Sequence, residues 1–97
     1  MGTNTILIAC STQYRVYQNS SSSRLVATVT VIDHCSALAS LWKVDSQGNQ
    51  IPNTKQVLGA GGSVVSLNVD PDESVELFCD GKGSDGCEFQ VQVSEAQ

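Results

Sequence analysis

Four cysteines, at positions 10, 35, 79 and 87, are the side chains of this sequence with the most obvious covalent chemistry. An even number of thiols in a short chain reads first as a disulfide framework. The run Glu76–Cys79, the loop Asp80–Gly86 and the run Cys87–Val93 read as a hairpin, with Gly83 midway between the two cysteines. That arrangement sets Cys79 opposite Cys87, at the roughly 5.5–6 Å Cα separation a disulfide needs. By the same reasoning Cys10 and Cys35 flank the Asn19–Ser23 turn of a second hairpin and sit nearly opposite each other. Each bridge would contribute about 2–4 kcal/mol against a total stability of about 5–15 kcal/mol. A zinc site built from the cysteines and His34 is a rival reading, but zinc knuckles use closely spaced Cys-x₂₋₄-Cys pairs and this chain has none. Free buried thiols are the third. Persistent disulfides imply an oxidising compartment, so the expected location is extracellular or on a cell or virion surface.

The remaining chemistry-bearing residues are sparse. His34 is the only histidine, and its neighbours Asp33 and Cys35 point to opposite faces of an extended chain, which prevents a relay. No Gly-x-Ser-x-Gly elbow occurs. Asp70, Asp72 and Glu73 could act as an acid–base pair across a cleft, but they sit on a turn beside Pro71, where aspartate serves local hydrogen bonding. The loop Asp80–Gly86 sets two aspartates among glycines without the length or terminal glutamate of an EF-hand. Leu58–Ser63 is glycine-rich but lacks the Gly-Lys-Ser/Thr of a phosphate loop. The expectation is a chain that is not an enzyme and uses no metal and no cofactor. Asn19-Ser20-Ser21 is a glycosylation sequon on an expected exposed turn, meaningful only in a secreting eukaryote.

Charge narrows the partners. Ten acids against five bases give a net charge of −5, and Arg15, Arg24, Lys43, Lys55 and Lys82 form no stripe. Nucleic acid is therefore not an expected partner, and neither is an anionic membrane surface. No run approaches the ~18 apolar residues of a transmembrane helix, so no membrane insertion is expected. Leu7–Cys10 loosely resembles a lipoprotein cleavage box, yet no basic region precedes it and the apolar lead is too short. A strand is the better reading of that segment.

These residues must be positioned by strands. Ninety-seven residues, 40% of them hydrophobic and 15% charged, suit a single domain over 1–97 with one core. Strand signals recur at short intervals, and nowhere does apolar character follow a helical period for three turns. Thr5–Tyr17 reads as one long strand with Ile6, Ile8, Cys10, Thr12, Tyr14 and Val16 on one face. Arg24–Ile32 is β-branched on both faces and reads as a central strand covered on both sides. Ala37–Val44, Gly62–Val69, Ser74–Cys79 and Cys87–Val93 follow, with Val65, Leu67, Val69, Val75, Leu77, Phe89, Val91 and Val93 inward. Asp45–Asn49 reads as a hairpin loop and Asp70–Glu73 as a tight turn with proline second. Ile51–Gly62 reads as irregular, pairing poorly and leaving a neighbouring edge open. The expected fold is all-β: a seven- or eight-stranded, disulfide-stapled antiparallel sandwich, Ig-like or jelly-roll/Greek-key.

One segment has a local likeness. Pro71-Asp72-Glu73-Ser74-Val75-Glu76-Leu77-Phe78-Cys79 resembles the Pro-Gly-x-Ser-Val-x-Leu-x-Cys run that opens the second strand of immunoglobulin domains. That family continues with a tryptophan and a distant second cysteine, whereas eighteen residues follow Cys79 here. What is shared is a turn-and-strand pattern found in many β-sandwiches.

With no catalytic constellation, three binding roles remain. The leading one is a non-catalytic protein-interaction or self-assembly domain that presents loops or an edge strand. The second is a secreted inhibitor or effector that binds an enzyme through the Cys79–Cys87 loop, whose pre-organisation spares entropy on binding. The third is a small carbohydrate-binding module using Trp42 or Tyr17. By alternation Tyr17 and Phe78 face outward while Tyr14 and Phe89 face inward, so Tyr17, Phe78, Asp80, Lys82 and Asp85 are the expected partner-binding residues.

Overall fold

A computed structural model describes residues 3–9, 12–33, 38–58, 61–80 and 86–95. Eight strands run in chain order: β1 (Thr3–Ala9), β2 (Thr12–Gln18), β3 (Leu25–Asp33), β4 (Leu38–Val44), β5 (Gln56–Leu58), β6 (Val64–Val69), β7 (Ser74–Asp80) and β8 (Gly86–Glu95). They form two four-stranded antiparallel sheets, β1-β8-β3-β6 (sheet A) and β2-β7-β4-β5 (sheet B). The all-β sandwich expected from the sequence is present, and its strand order is that of a jelly roll.

The connections depart from the expected ones. Among these strands only β4 and β5 are sequence neighbours that pair with each other; every other connection passes from one sheet to the other. Thr5–Tyr17 is therefore not one strand, because the chain leaves sheet A after Ala9 and enters sheet B at Thr12. The Asn19–Ser23 turn likewise links sheet B to sheet A and closes no hairpin. Alternating apolar residues around a polar turn look alike in a hairpin and in an arch between sheets, which is why the sequence misled here.

Alternation itself was read correctly in the later strands. Leu77, Val75 and Cys79 of β7 and Phe89, Val91 and Cys87 of β8 are buried between the sheets, with Val29, Val31, Leu41 and Leu58. Burying each such aliphatic or aromatic side chain contributes roughly 1.5–3 kcal/mol. On β6, Val65 and Leu67 pack partly against this core while Ser66 and Asn68 are exposed. β3 is central in its sheet, between β8 and β6, but it is covered on one face only. Val26, Thr28 and Thr30 lie half-buried on the outer face, and Ile32 is 43% exposed.

Two turns carry their own logic. Glu73 N–H donates to the Asp70 carbonyl (3.0 Å), with Pro71 and Asp72 between them and Asp72 at φ 70°. This is the tight turn the sequence predicted, with a non-glycine residue in the left-handed region. Asp72→Gly is expected to raise stability by about 0.5–1 kcal/mol in denaturant titrations, since glycine takes that conformation freely. The stretch read as irregular contains β5, which covers Ala39–Leu41 of β4. It then docks onto β3: Gly62 N–H donates to the Val31 carbonyl (2.7 Å) and Val31 N–H to the Ser63 carbonyl (2.8 Å). A Cβ at Gly61 would stand 3.0 Å from the Ile32 carbonyl oxygen, and Gly62 has φ 92°. Gly61 thus permits a close backbone approach, and Gly62 takes the left-handed turn beside it.

Candidate functional site

One end of the sandwich is held covalently. Cys79 at the end of β7 and Cys87 at the start of β8 form a disulfide, Cα–Cα 6.0 Å, and both are buried. The pairing agrees with the sequence reading, but its setting does not. β7 and β8 belong to different sheets, so the bridge ties sheet B to sheet A and spans no hairpin ladder. Cys10 and Cys35 lie outside the described residues, as do Lys82 and Asp85. No grouping of three or more His, Cys, Asp or Glu suited to a metal ion occurs among the described residues.

The opposite end is held by hydrogen bonds centred on Asn19, which is fully buried. Its side-chain nitrogen donates to the carbonyls of Ser23 and Val69, each at 2.8 Å. Its side-chain oxygen accepts from Ser21 N–H (3.0 Å) and Ser21 Oγ (2.6 Å). Its backbone bonds to Glu73 and Asp72 as well. The sequon, expected on an exposed turn, is thus a clasp joining the β2–β3 crossover to the β6–β7 turn. Its amide has both protons committed, and an attached glycan would have to replace one of them.

Charged side chains reinforce this end. Lys43 Nζ donates to the Asn68 carbonyl across the sandwich (2.9 Å) and pairs with Glu73 Oε1 (3.1 Å), which also accepts from Asp70 N–H (2.9 Å). Arg24 Nε pairs with Asp70 Oδ1 at 2.6 Å. The hydrogen bond from Arg24 lowers the Asp70 pKa, with desolvation opposing it and the Arg24 charge assisting. A carboxylate pKa depressed in the folded state supports folding above its unfolded value, near 3.9, and loses that support as pH falls through the folded value. Arg24→Gln should therefore lower stability slightly at neutral pH, and the difference from the parent should fade in acid unfolding curves as pH falls through the folded value of Asp70. An equal difference at every pH would rule this out.

The expected partner residues separate in the structure. A β-bulge in the β2–β7 ladder between Arg15 and Tyr17 inserts Val16 as an extra residue. Alternation slips by one there, so Tyr17 aligns with buried Val75 and packs on the Ala27–Val69–Val75 cluster. This overturns the outward placement of Tyr17, whose half-buried side chain packs inward. Tyr14, expected inward, does share the face of its partner Leu77, yet it is 48% exposed because β2 is an edge strand. Phe78 and Asp80 lie on the outer face of sheet B, where they line a depression of about 220 Å³ with Leu38, Val57 and Lys55. Leu38 (64% exposed) and Val57 (73%) are exposed apolar residues the sequence reading did not single out. Their only signal was an apolar residue at the start or middle of an edge-proximal strand, which is too common to single out.

The sheet edges are unequal in protection. In sheet B, β5 spans three residues, while β2 carries Arg15 and the bulge. In sheet A, β1 (TNTILIA) and β6 (VVSLNV) are edges with no charge and no proline. Natural edges are normally blunted by shortness, charge, proline or bulges, and among the described residues only sheet B uses such devices.

That architecture has a counterpart among solved structures. A chain described as "Bacillus endospore appendages form a novel family of disulfide-linked pili" superposes with a TM-score of 0.59 over 98% of this chain and 87% of its own, at 15% sequence identity. The likeness establishes a shared fold. No family model and no curated protein matches the sequence. No helix among the described residues is long and apolar enough to cross a membrane.

Proposed function

We propose that this chain is a non-catalytic self-assembly domain of an extracellular or cell-surface structure, joining copies of itself through an open sheet edge. The observation that carries this reading is the unguarded pair of edges in sheet A, β1 and β6. An exposed row of backbone N–H and C=O groups can be completed by a strand from another chain. The described appendage protein supports the reading, since its disulfide-linked pili are assemblies on the same fold. By that analogy Cys10 and Cys35 are assigned to bonds between copies once edges have paired.

Two measurements test this. Hydrogen exchange should show rapid exchange of the outward-pointing amides of Val64–Val69 in dilute protein and protection after concentration. Non-reducing electrophoresis of assembled protein should show a ladder of covalent multimers that Cys10→Ser or Cys35→Ser abolishes. A chain that stays strictly monomeric at every attainable concentration would refute self-assembly.

A further inference from the structure

At the Asn19 end of the sandwich, β2, the loop after β4 and the turn before β7 enclose a depression of about 360 Å³. Its volume lies at the lower end of the roughly 300–1,000 Å³ of small-molecule sites, but no side chain lining it is apolar. The bulge at Val16 builds one wall. Residues three apart on an unbroken strand point to opposite faces, and the extra residue turns Gln18 to the side of Arg15. Arg15 Nη1 then donates to Gln18 Oε1 at 3.3 Å, while its Nη2 pairs with Glu76 at 3.3 Å. A second wall is set by Asp45, whose Oδ1 accepts the N–H groups of Gln47 (2.9 Å) and Asn49 (3.0 Å). Two polar side chains on this depression have no hydrogen-bond partner among the described residues. Ser74 is 3% exposed, and a buried hydroxyl with no partner is rare. Asp72 stands at φ 70°, held there as its N–H donates to the Asn19 carbonyl (2.8 Å). Glycine would take that conformation at lower cost, and strain retained beside a cavity points to a use for the side chain.

We propose that this depression binds a neutral saccharide. Charge and lining select that class. An apolar ligand finds no apolar wall, an anion meets Asp45 and Asp72, and a cation meets Arg15. Among the described residues no three acids gather as metal ligands. What remains is a neutral molecule whose groups both donate and accept, as each sugar hydroxyl does. A carboxylate only accepts and a guanidinium only donates, so neighbouring hydroxyls on one ring match the mixed lining. Asp45 and Asp72 accept from hydroxyls, Arg15 donates to them, and the buried Ser74 hydroxyl gains the partner it lacks. Neither Trp42 nor Tyr17 borders the site, so recognition is by hydrogen bonding and not by stacking. The site forms within one copy and is independent of the self-assembly reading above.

The test titrates dilute isotope-labelled protein with D-glucose, D-galactose, D-mannose and N-acetyl-D-glucosamine in turn, and follows backbone amide shifts by NMR. At least one sugar should give saturable shifts at Gln18, Gln47, Gly48, Asp72 and Ser74. Asp72→Gly should weaken that binding about tenfold and Ser74→Ala about threefold, the losses expected for a charged and a neutral hydrogen bond. Both variants should nonetheless unfold at the same or a higher urea concentration than the parent, since one relieves strain and the other removes an unpaired hydroxyl. A lowered midpoint in both variants would assign these side chains to the fold and overturn the site. Calcium chloride is the rival probe: saturable shifts at the same amides with calcium and none with sugar overturn the saccharide assignment. Flat titrations with all four sugars, or binding unchanged in both variants, overturn it as well. Each of these results concerns the monomer, so failure here leaves the edge-pairing reading standing.

Discussion

Replacing Asn19 with alanine is expected to lower stability by about 3–5 kcal/mol, a large part of the total for a chain of this size. The side chain is fully buried, and all of its hydrogen-bonding capacity toward Ser21, Ser23 and Val69 is used. Truncation strips the buried Val69 carbonyl of a side-chain donor, leaves the Ser23 carbonyl to Ser21 Oγ, and opens a void in the buried site, where an unsatisfied group costs about 1–3 kcal/mol. It also releases the crossover whose backbone is fastened to Asp72 and Glu73. Asn19→Asp should be nearly as harmful, because it exchanges the donating amide for a carboxylate facing the same two carbonyls. Ser21→Ala should cost only about 1 kcal/mol, the worth of an ordinary hydrogen bond near the surface. Urea titration measures all three. A loss below about 1 kcal/mol for Asn19→Ala would mean that water replaces the clasp without penalty.

The second large effect is removal of the disulfide. A Cys79→Ala, Cys87→Ala double variant is expected to lose about 2.5–4 kcal/mol. The closed loop is short, with a sequence separation of 8, so the chain-entropy share is near the lower end of that range. Packing adds to it, since both sulfurs lie in the core beside Phe89 and Leu77. Because the bridge joins the two sheets, its loss should also loosen one end of the sandwich selectively. Amides of Cys79, Asp80 and Gly86–Glu88 should exchange faster, while those around Asn19 keep their protection. Uniform acceleration across the molecule would show that the bridge acts on the unfolded chain alone. In the parent, burial of both sulfurs should make the bond resistant to mild reductant until the protein unfolds.

What the sequence made legible was local and periodic. Period-two alternation in Val64–Val69, Ser74–Asp80 and Gly86–Glu95 follows from sheets with one buried face, and it identified Val69, Leu77, Phe89 and Val91 as core. The Pro71 turn was legible because proline fixes its own backbone angle. Pairing was not, because which strand lies beside which depends on contacts between distant residues. The same logic explains Tyr17. One inserted residue at Val16 reverses every side chain beyond it, and nothing in the run Thr12–Gln18 announces the bulge. Asn19 was misread for a related reason, since a run of short polar residues has the composition of an exposed loop whether its first residue is solvated or swallowed by the fold. The outward placement of Phe78 was legible from alternation, but the hollow it lines with Asp80 needed Leu38 and Val57, which alignment of β4 with β5 and β7 brings together.

The order of strands in sheet A has a consequence for how the chain comes to be folded at all. β8 lies between β1 and β3, so that sheet has no centre until Gly86–Glu95 has been synthesised. Before then β1 has no partner in its sheet, and β3 has only β6. A nascent chain therefore cannot fold progressively as it emerges. It must wait, then close most of its pairings together, and such non-local topologies fold in roughly milliseconds to seconds where helical bundles need microseconds. That delay leaves the uncharged β1 sequence unpaired for the whole interval, so a segment that becomes an edge of the finished sheet is one a cell must keep apart until the final strand is in place.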